Sequence, residues 1–136
     1  MSSSDLSAAV QALLYDHIES YEQLEILLLL RLAGGESWSE EQISSRLNIS
    51  SSLTAGALSA LRLSGLVKLR EDWPRYEYAA DTQAMDDAVN ALAAVYATHR
   101  FEIIKLMSAN AIKRMRTGAL RAFADAFLLH KDKGDG

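Results

Sequence analysis

The chain of 136 residues has no cysteine. That excludes a disulfide framework, a thiolate metal site and a cysteine nucleophile, and it suits a reducing compartment. One proline and seven glycines are too few for long linkers or a low-complexity segment. The longest run of leucine and isoleucine, residues 26–30, falls far short of the roughly 20 apolar residues that cross a bilayer. The first ten residues, MSSSDLSAAV, lack a basic region followed by an apolar run, so no signal peptide is expected. Positive excess is lacking too: the net charge is −4, which argues against indiscriminate nucleic-acid binding. The three histidines, His17, His99 and His130, never come at ligand spacing, so neither a metal site nor a metal cofactor is expected.

What is present is the balance of an ordinary soluble globular protein, 49% apolar and 24% charged, long enough to bury a proper core. A cytoplasmic location without a membrane partner is expected. The charge is unevenly spread. Residues 1–37 carry six acids against one base, and residues 38–80 carry five of each. Residues 99–133 carry eight bases against three acids. An acidic start and a basic end point either to an electrostatic partner or to two parts of a dimer that complement each other, unless the basic block is simply a solvated helix face.

Periodicity predicts a mainly helical chain. Leu6, Val10, Leu13, Leu14 and Ile18 follow helical spacing. Ser20 with Gln23 is a candidate capping box, and Leu24, Ile26, Leu27, Leu28, Leu30 and Leu32 then make a helix apolar on most of its circumference, fit for the centre of a domain. Gly34 and Gly35 stop it. Asp81 or Thr82 caps a long helix expected to reach about residue 109. In it Met85, Val89, Leu92, Tyr96, His99, Ile103 and Leu106 alternate steps of four and three, a heptad seam that predicts packing along another helix and is assigned to a dimer interface. Thr117-Gly118 reads as a second break. Leu120, Phe123, Ala124, Phe127 and Leu128 form the stripe of a terminal helix before a polar tail, residues 131–136. The expected division is a domain over 1–80, a helical extension over 81–130 and the tail.

Residues 38–80 carry the most information. Ser39 with Gln42 repeats the capping signature, and Ile43 and Leu47 share a face of the short helix it opens. Asn48 suits a sharp turn needing a positive φ, Ile49 plugs the angle between two helices, and Ser50 or Ser51 caps the second one. Ala57, Leu58 and Leu61 face inward, Gly65 ends the helix, and Leu66-Val67 opens a hairpin that turns near Pro74. Trp38 before the Ser39 cap reads as a hydrophobic staple. Tyr76 and Tyr78 share a strand face, and Trp73 sits at the turn. The stretch ISSRLNISSSLTAGALSALRLSGLVKL resembles the recognition unit of winged-helix regulators of the MarR and PadR type. YEQLEILLLL together with LRAFADAFLLHKDKGD is similar to small bacterial winged-helix proteins. The implied fold is a winged helix-turn-helix with one β-hairpin wing, N-terminal helices and a long C-terminal dimerisation helix.

The resemblance implies that the outward face of the second helix enters a DNA major groove while the wing touches the backbone. By position that face is Ser51, Ser52, Ala55, Gly56, Ser59 and Arg62, with Lys68, Arg70 and Arg75 on the wing. The chain departs from the pattern at Gly56, where relatives often carry arginine, and at the acidic wing tip Glu71-Asp72. Base edges are read best by Arg, Lys, Asn and Gln, and the first turns here offer only serine and threonine. The expected function is therefore a homodimeric DNA-binding transcription regulator. The alternative is a winged-helix module that binds a protein and reads no DNA, with an exposed Trp73 as one contact. In a third reading Lys113, Arg114, Arg116 and Arg121 make the nucleic-acid contact. An effector, if there is one, is expected between the wing domain and the dimer helices. No catalytic residue is expected: the acidic pairs Glu40-Glu41 and Asp86-Asp87 start helices, where they favour the dipole, and residues 33–36 lack the lysine and serine of a phosphate loop.

Overall fold

The caps set the helices. In the computed structural model, which describes residues 6–71 and 74–135 and side chains as far as residue 128, α1 (Ala8–Asp16) starts where Ser7 Oγ accepts from the Val10 amide. α2 (Tyr21–Ala33) starts at Ser20, whose Oγ accepts from the Gln23 amide. The Gln23 carboxamide reaches the Glu19 amide at 2.7 Å rather than that of Ser20, so the expected box is displaced by one residue. α2 ends on Gly34 at φ 47°, as a left-handed C-cap requires. α3 (Glu40–Leu47) has the complete box: Ser39 Oγ accepts from the Gln42 amide at 3.1 Å and Gln42 Oε1 accepts from the Ser39 amide at 2.9 Å. Ser39→Ala is expected to cost about 1 kcal/mol, read as a lower urea midpoint at unchanged slope. An unchanged midpoint would show that the box contributes nothing.

Asn48 turns the chain at φ 55°, and Ser44 Oγ donates to the Ile49 carbonyl at 2.6 Å across that turn. α4 (Ser51–Leu63) follows, with Ser50 as its cap. Gly65 has φ 77°, and a Cβ there would run into the Asp81 carboxylate, so both the backbone and the space demand glycine. β1 (Val67–Arg70) and β2 (Arg75–Tyr78) pair antiparallel, Val67 opposite Tyr78 and Arg70 opposite Arg75. Trp38 stands at the expected staple position, but its backbone also exchanges two hydrogen bonds with Tyr76, at 2.8 and 2.7 Å. It thereby adds a one-residue third strand to the hairpin. Thr82 caps α5 (Gln83–Tyr96), and α6 (Arg100–Asp135) closes the chain. The arrangement of six helices and one hairpin is a winged helix-turn-helix with a long C-terminal helix.

α2 lies at the centre, as its all-round apolarity predicts, with Leu24, Ile26, Leu27 and Leu30 fully buried. Ile43, Leu58, Leu61 and Leu66 join it in one cluster from the helix-turn-helix and its exit, Leu14, Leu92 and Ile103 from the other helices, and Ile18 from the α1–α2 connection. One apolar cluster thus runs from Leu6 to Met107. A hydrogen-bonded chain ties the wing to it: Tyr78 Oη donates to Asp86 Oδ1 at 2.6 Å, Asn90 Nδ2 to Asp86 Oδ2 at 3.3 Å, and Arg31 Nε to Asn90 Oδ1 at 2.9 Å. Burial first, and then the Asp86 carboxylate, hold the Tyr78 phenol well above its ordinary range.

Three expectations about the C-terminal half need correction. The helix expected to run unbroken to about residue 109 is interrupted at residues 97–99. There the Thr98 hydroxyl donates to the Val95 carbonyl and meets His99 Nδ1 at 2.8 Å, local bonds that compete with the helical ladder. The heptad pattern survives the break because both pieces face the same core. Conversely, Thr117-Gly118 breaks nothing. Gly118 has no positive φ and lies within α6, where it costs about 1 kcal/mol against alanine without ending the helix. The tail expected over 131–136 continues α6 through Asp135.

Candidate nucleic-acid interface

The caps and the turn at Asn48 hold α4 with one side inward, burying Thr54, Ala57, Leu58 and Leu61. Its other side is open: Ser51, Ser52, Ala55, Gly56, Ser59 and Arg62 are all exposed, the face expected from sequence. Leu53 and Leu63 join it, Leu63 at 88% exposure. Thr54 is no part of this face, since its hydroxyl is buried and donates to the Ser50 carbonyl at 2.8 Å. On the wing, Lys68 and Arg70 are exposed. Arg62 and Lys68 line one cleft of about 460 Å3 between α4 and β1, together with Ser59 and Asp81. Among the described residues Arg62, Lys68 and Arg70 make no ion pair and no hydrogen bond. Asp72 and Trp73, the acidic tip and the proposed aromatic contact, lie outside the described residues.

Arg75 departs from the expected set. Instead of extending from the wing it turns back to the helix-turn-helix, donating from Nη1 to the Ser37 carbonyl at 3.1 Å and from Nη2 to Gln42 Oε1 at 3.3 Å. The reason is its register: as the first residue of β2 it sits one residue before Tyr76, whose backbone is held against Trp38. Nothing in the local sequence signals this, because the partners come from a turn 38 and a helix 33 positions earlier.

The residues assigned to a dimer seam are largely used within the chain. Val89, Leu92 and Ile103 are fully buried in its own core, and Met85, Tyr96 and Leu106 pack partly against it. His99 occupies the interhelical turn. Arg100 clamps the start of α6 to α2, stacking over the rings of Tyr21 and Tyr96, bonding the Tyr21 hydroxyl and standing 3.8 Å from Glu25. Burial, helped by Tyr21 and Glu25, pushes the Tyr96 phenol up to about 12.

A different surface is left open. Beyond Asn110, α6 presents Ile112, Met115, Leu120, Phe123 and Phe127 on one side, the two phenylalanines 71% and 60% exposed. Phe101, 74% exposed, is in line with them at helical spacing. The basic segment on the same helix divides. Arg114 donates to the Leu14 and Tyr15 carbonyls at the end of α1 and lies over the Tyr15 ring, as does Lys113. A cation there complements the helix C-terminus, so these two bases have an internal role. Arg116 and Arg121 are exposed.

Among the described residues no group of carboxylates, histidines or cysteines could hold a metal ion, and no helix is long and apolar enough to cross a membrane. The chain matches no family model and no curated protein. Among solved structures it is similar to a mutant of ZitR from Lactococcus lactis, with a TM-score of 0.46 and 20% identity, over 85% of this chain and 77% of that one.

Proposed function

We propose that this protein is a DNA-binding transcription regulator that works as a homodimer, of the winged-helix type that the MarR and PadR resemblance implies. The observation that carries the reading is the unneutralised charge along α4 and the wing. Arg62 and Lys68 share a cleft between α4 and β1, and Arg70 stands exposed on the wing, all three without an ion-pair partner among the described residues. An approaching phosphate backbone neutralises these charges. The serines and Ala55 of α4 are short enough to let the helix sit deep in a major groove, while giving few base-edge hydrogen bonds. Sequence preference then comes largely from DNA shape.

Arg62→Ala with Lys68→Ala is expected to weaken binding to the DNA upstream of its own gene by about 10- to 100-fold. The same pair should flatten the dependence of log affinity on log salt by roughly two units. Fluorescence anisotropy at several salt concentrations reads both. Wild-type binding that does not distinguish that DNA from random sequence at physiological salt would refute the reading. Exposed Leu53 and Leu63 on the same face support the second one, a protein-binding module. In that case Leu63→Asp abolishes a stoichiometric complex in a pull-down and the DNA titration stays flat.

Dimerisation belongs to the apolar stripe of α6. Single helices are marginal in water without a packed face, and Ile112, Met115, Phe123 and Phe127 have no cover from the described residues of their own chain. A second copy supplies the same stripe, and its acidic N-terminal helices complement the exposed Arg116 and Arg121. A pair of recognition helices set about 34 Å apart would meet successive turns of one DNA face.

A further inference from the structure

The corner where the α2–α3 turn, α3 and β2 meet holds a cavity of about 870 Å3, within the size range of small-molecule sites. It is not where an effector was expected, between the wing and the C-terminal helices. Its wall combines two guanidiniums (Arg46 and Arg75), one carboxylate (Glu36), the Gln42 carboxamide, the Ser45 hydroxyl and the Trp38 indole. Arg75 is fixed by Ser37 and Gln42, yet three of its five N–H donors are unbonded, a buried one on Nε and two on the Nη nitrogens, and its charge meets no carboxylate within ion-pairing distance among the described residues. Arg46 is exposed and makes no hydrogen bond or ion pair among them either. Two unneutralised guanidiniums around one concave surface favour a phosphate, which each can hold in a bidentate fashion. The Trp38 backbone is pinned by two bonds to Tyr76 and its side chain packs partly against the core, which leaves a half-buried indole at the cavity wall as a surface for stacking. Stacking of a base on such a plane contributes about 1–3 kcal/mol. Glu36, an acceptor beside two cations, would repel a bare anion but suits a pair of sugar hydroxyls, as carboxylates in dinucleotide sites do.

We propose that this corner binds a free purine mononucleotide. The phosphate lies on Arg46 and Arg75, the base stacks on Trp38, and the ribose hydroxyls donate to Glu36. The polar character of the wall disfavours a wholly apolar ligand. Because the site joins α3 to the first residue of β2, an occupant bridges the helix-turn-helix and the wing and fixes their relative orientation. The same phosphate-and-base chemistry also exists in a nucleic-acid strand, and the experiment separates the two sources.

The test is calorimetric titration of the full-length protein with AMP and GMP in the absence of DNA, so its outcome is independent of whether the protein reads DNA. Saturable binding with a dissociation constant on the order of 10–100 μM is expected. Adenosine and inorganic phosphate should each bind at least about tenfold more weakly. Arg46→Met, at an exposed position that leaves the fold intact, should weaken AMP by about tenfold or more. In a Trp73→Phe background, where Trp38 is the sole tryptophan, AMP should quench fluorescence along the same isotherm. Absence of saturable binding up to millimolar nucleotide overturns the proposal, as does adenosine binding as tightly as AMP or Arg46→Met binding like wild type. A short single-stranded oligonucleotide that displaces AMP at far lower concentration than AMP itself also overturns it, in favour of a strand-binding corner.

Discussion

Phe123→Glu with Phe127→Glu is expected to turn the protein into a monomer at micromolar concentrations. Both rings stand on the open side of α6, 71% and 60% exposed in the single chain, in line with Ile112 and Met115. α6 has 36 residues, hence a length of about 54 Å, and the last of them that is buried, among those whose side chains are described, is Asn110. The remainder has no apolar cover among the described residues. Aromatic anchors at the centre of an interface each contribute on the order of 2 kcal/mol or more. Losing two and burying two carboxylates in their place should raise the dimer dissociation constant by about 1000-fold or more. Sedimentation equilibrium reads this directly, with circular dichroism reporting whether the winged domain stays folded. A wild-type protein that is monomeric at 100 μM, or a double variant that remains a dimer, would refute the assignment of this surface. Loss of the dimer should also lower DNA affinity, because one recognition helix then meets one half-site.

Leu92→Ala is expected to destabilise the fold by about 2–5 kcal/mol, as truncation of fully buried leucines does, while the dimer dissociation constant stays near wild type. Leu92 has no exposed surface, and Val89 and Ile103 beside it in the same cluster have none either. The measurement is urea unfolding in the Phe123→Glu, Phe127→Glu background, where dimerisation no longer contributes and stability does not depend on protein concentration. If Leu92 instead belonged to an interface, the substitution would leave this monomer within about 0.5 kcal/mol of its parent and would weaken association in the otherwise wild-type chain. The two experiments therefore tell the seam read from heptads apart from the stripe left open by the fold.

What the sequence by itself determined is local. Caps at Ser7, Ser20, Ser39, Ser50 and Thr82, left-handed backbone at Gly34, Asn48 and Gly65, and the alternation of buried and open positions on α4 follow from residues within four positions of one another. Such short-range chemistry is visible in a string of letters. The central place of α2 was visible too, because a helix apolar all round has nowhere else to go. Tertiary structure alone decided how those faces are used. A heptad pattern states that a helix packs along something, and it reads the same whether the something is a second chain or α1 and α2 of its own. Here the turn at residues 97–99 folds both halves of the pattern onto one core, which leaves the later stripe of α6 exposed. The direction of Arg75 was equally hidden, since Ser37 and Gln42 reach it only after β2 has docked on Trp38. Contacts that join distant positions are set by packing geometry, and no spacing rule in the sequence encodes them.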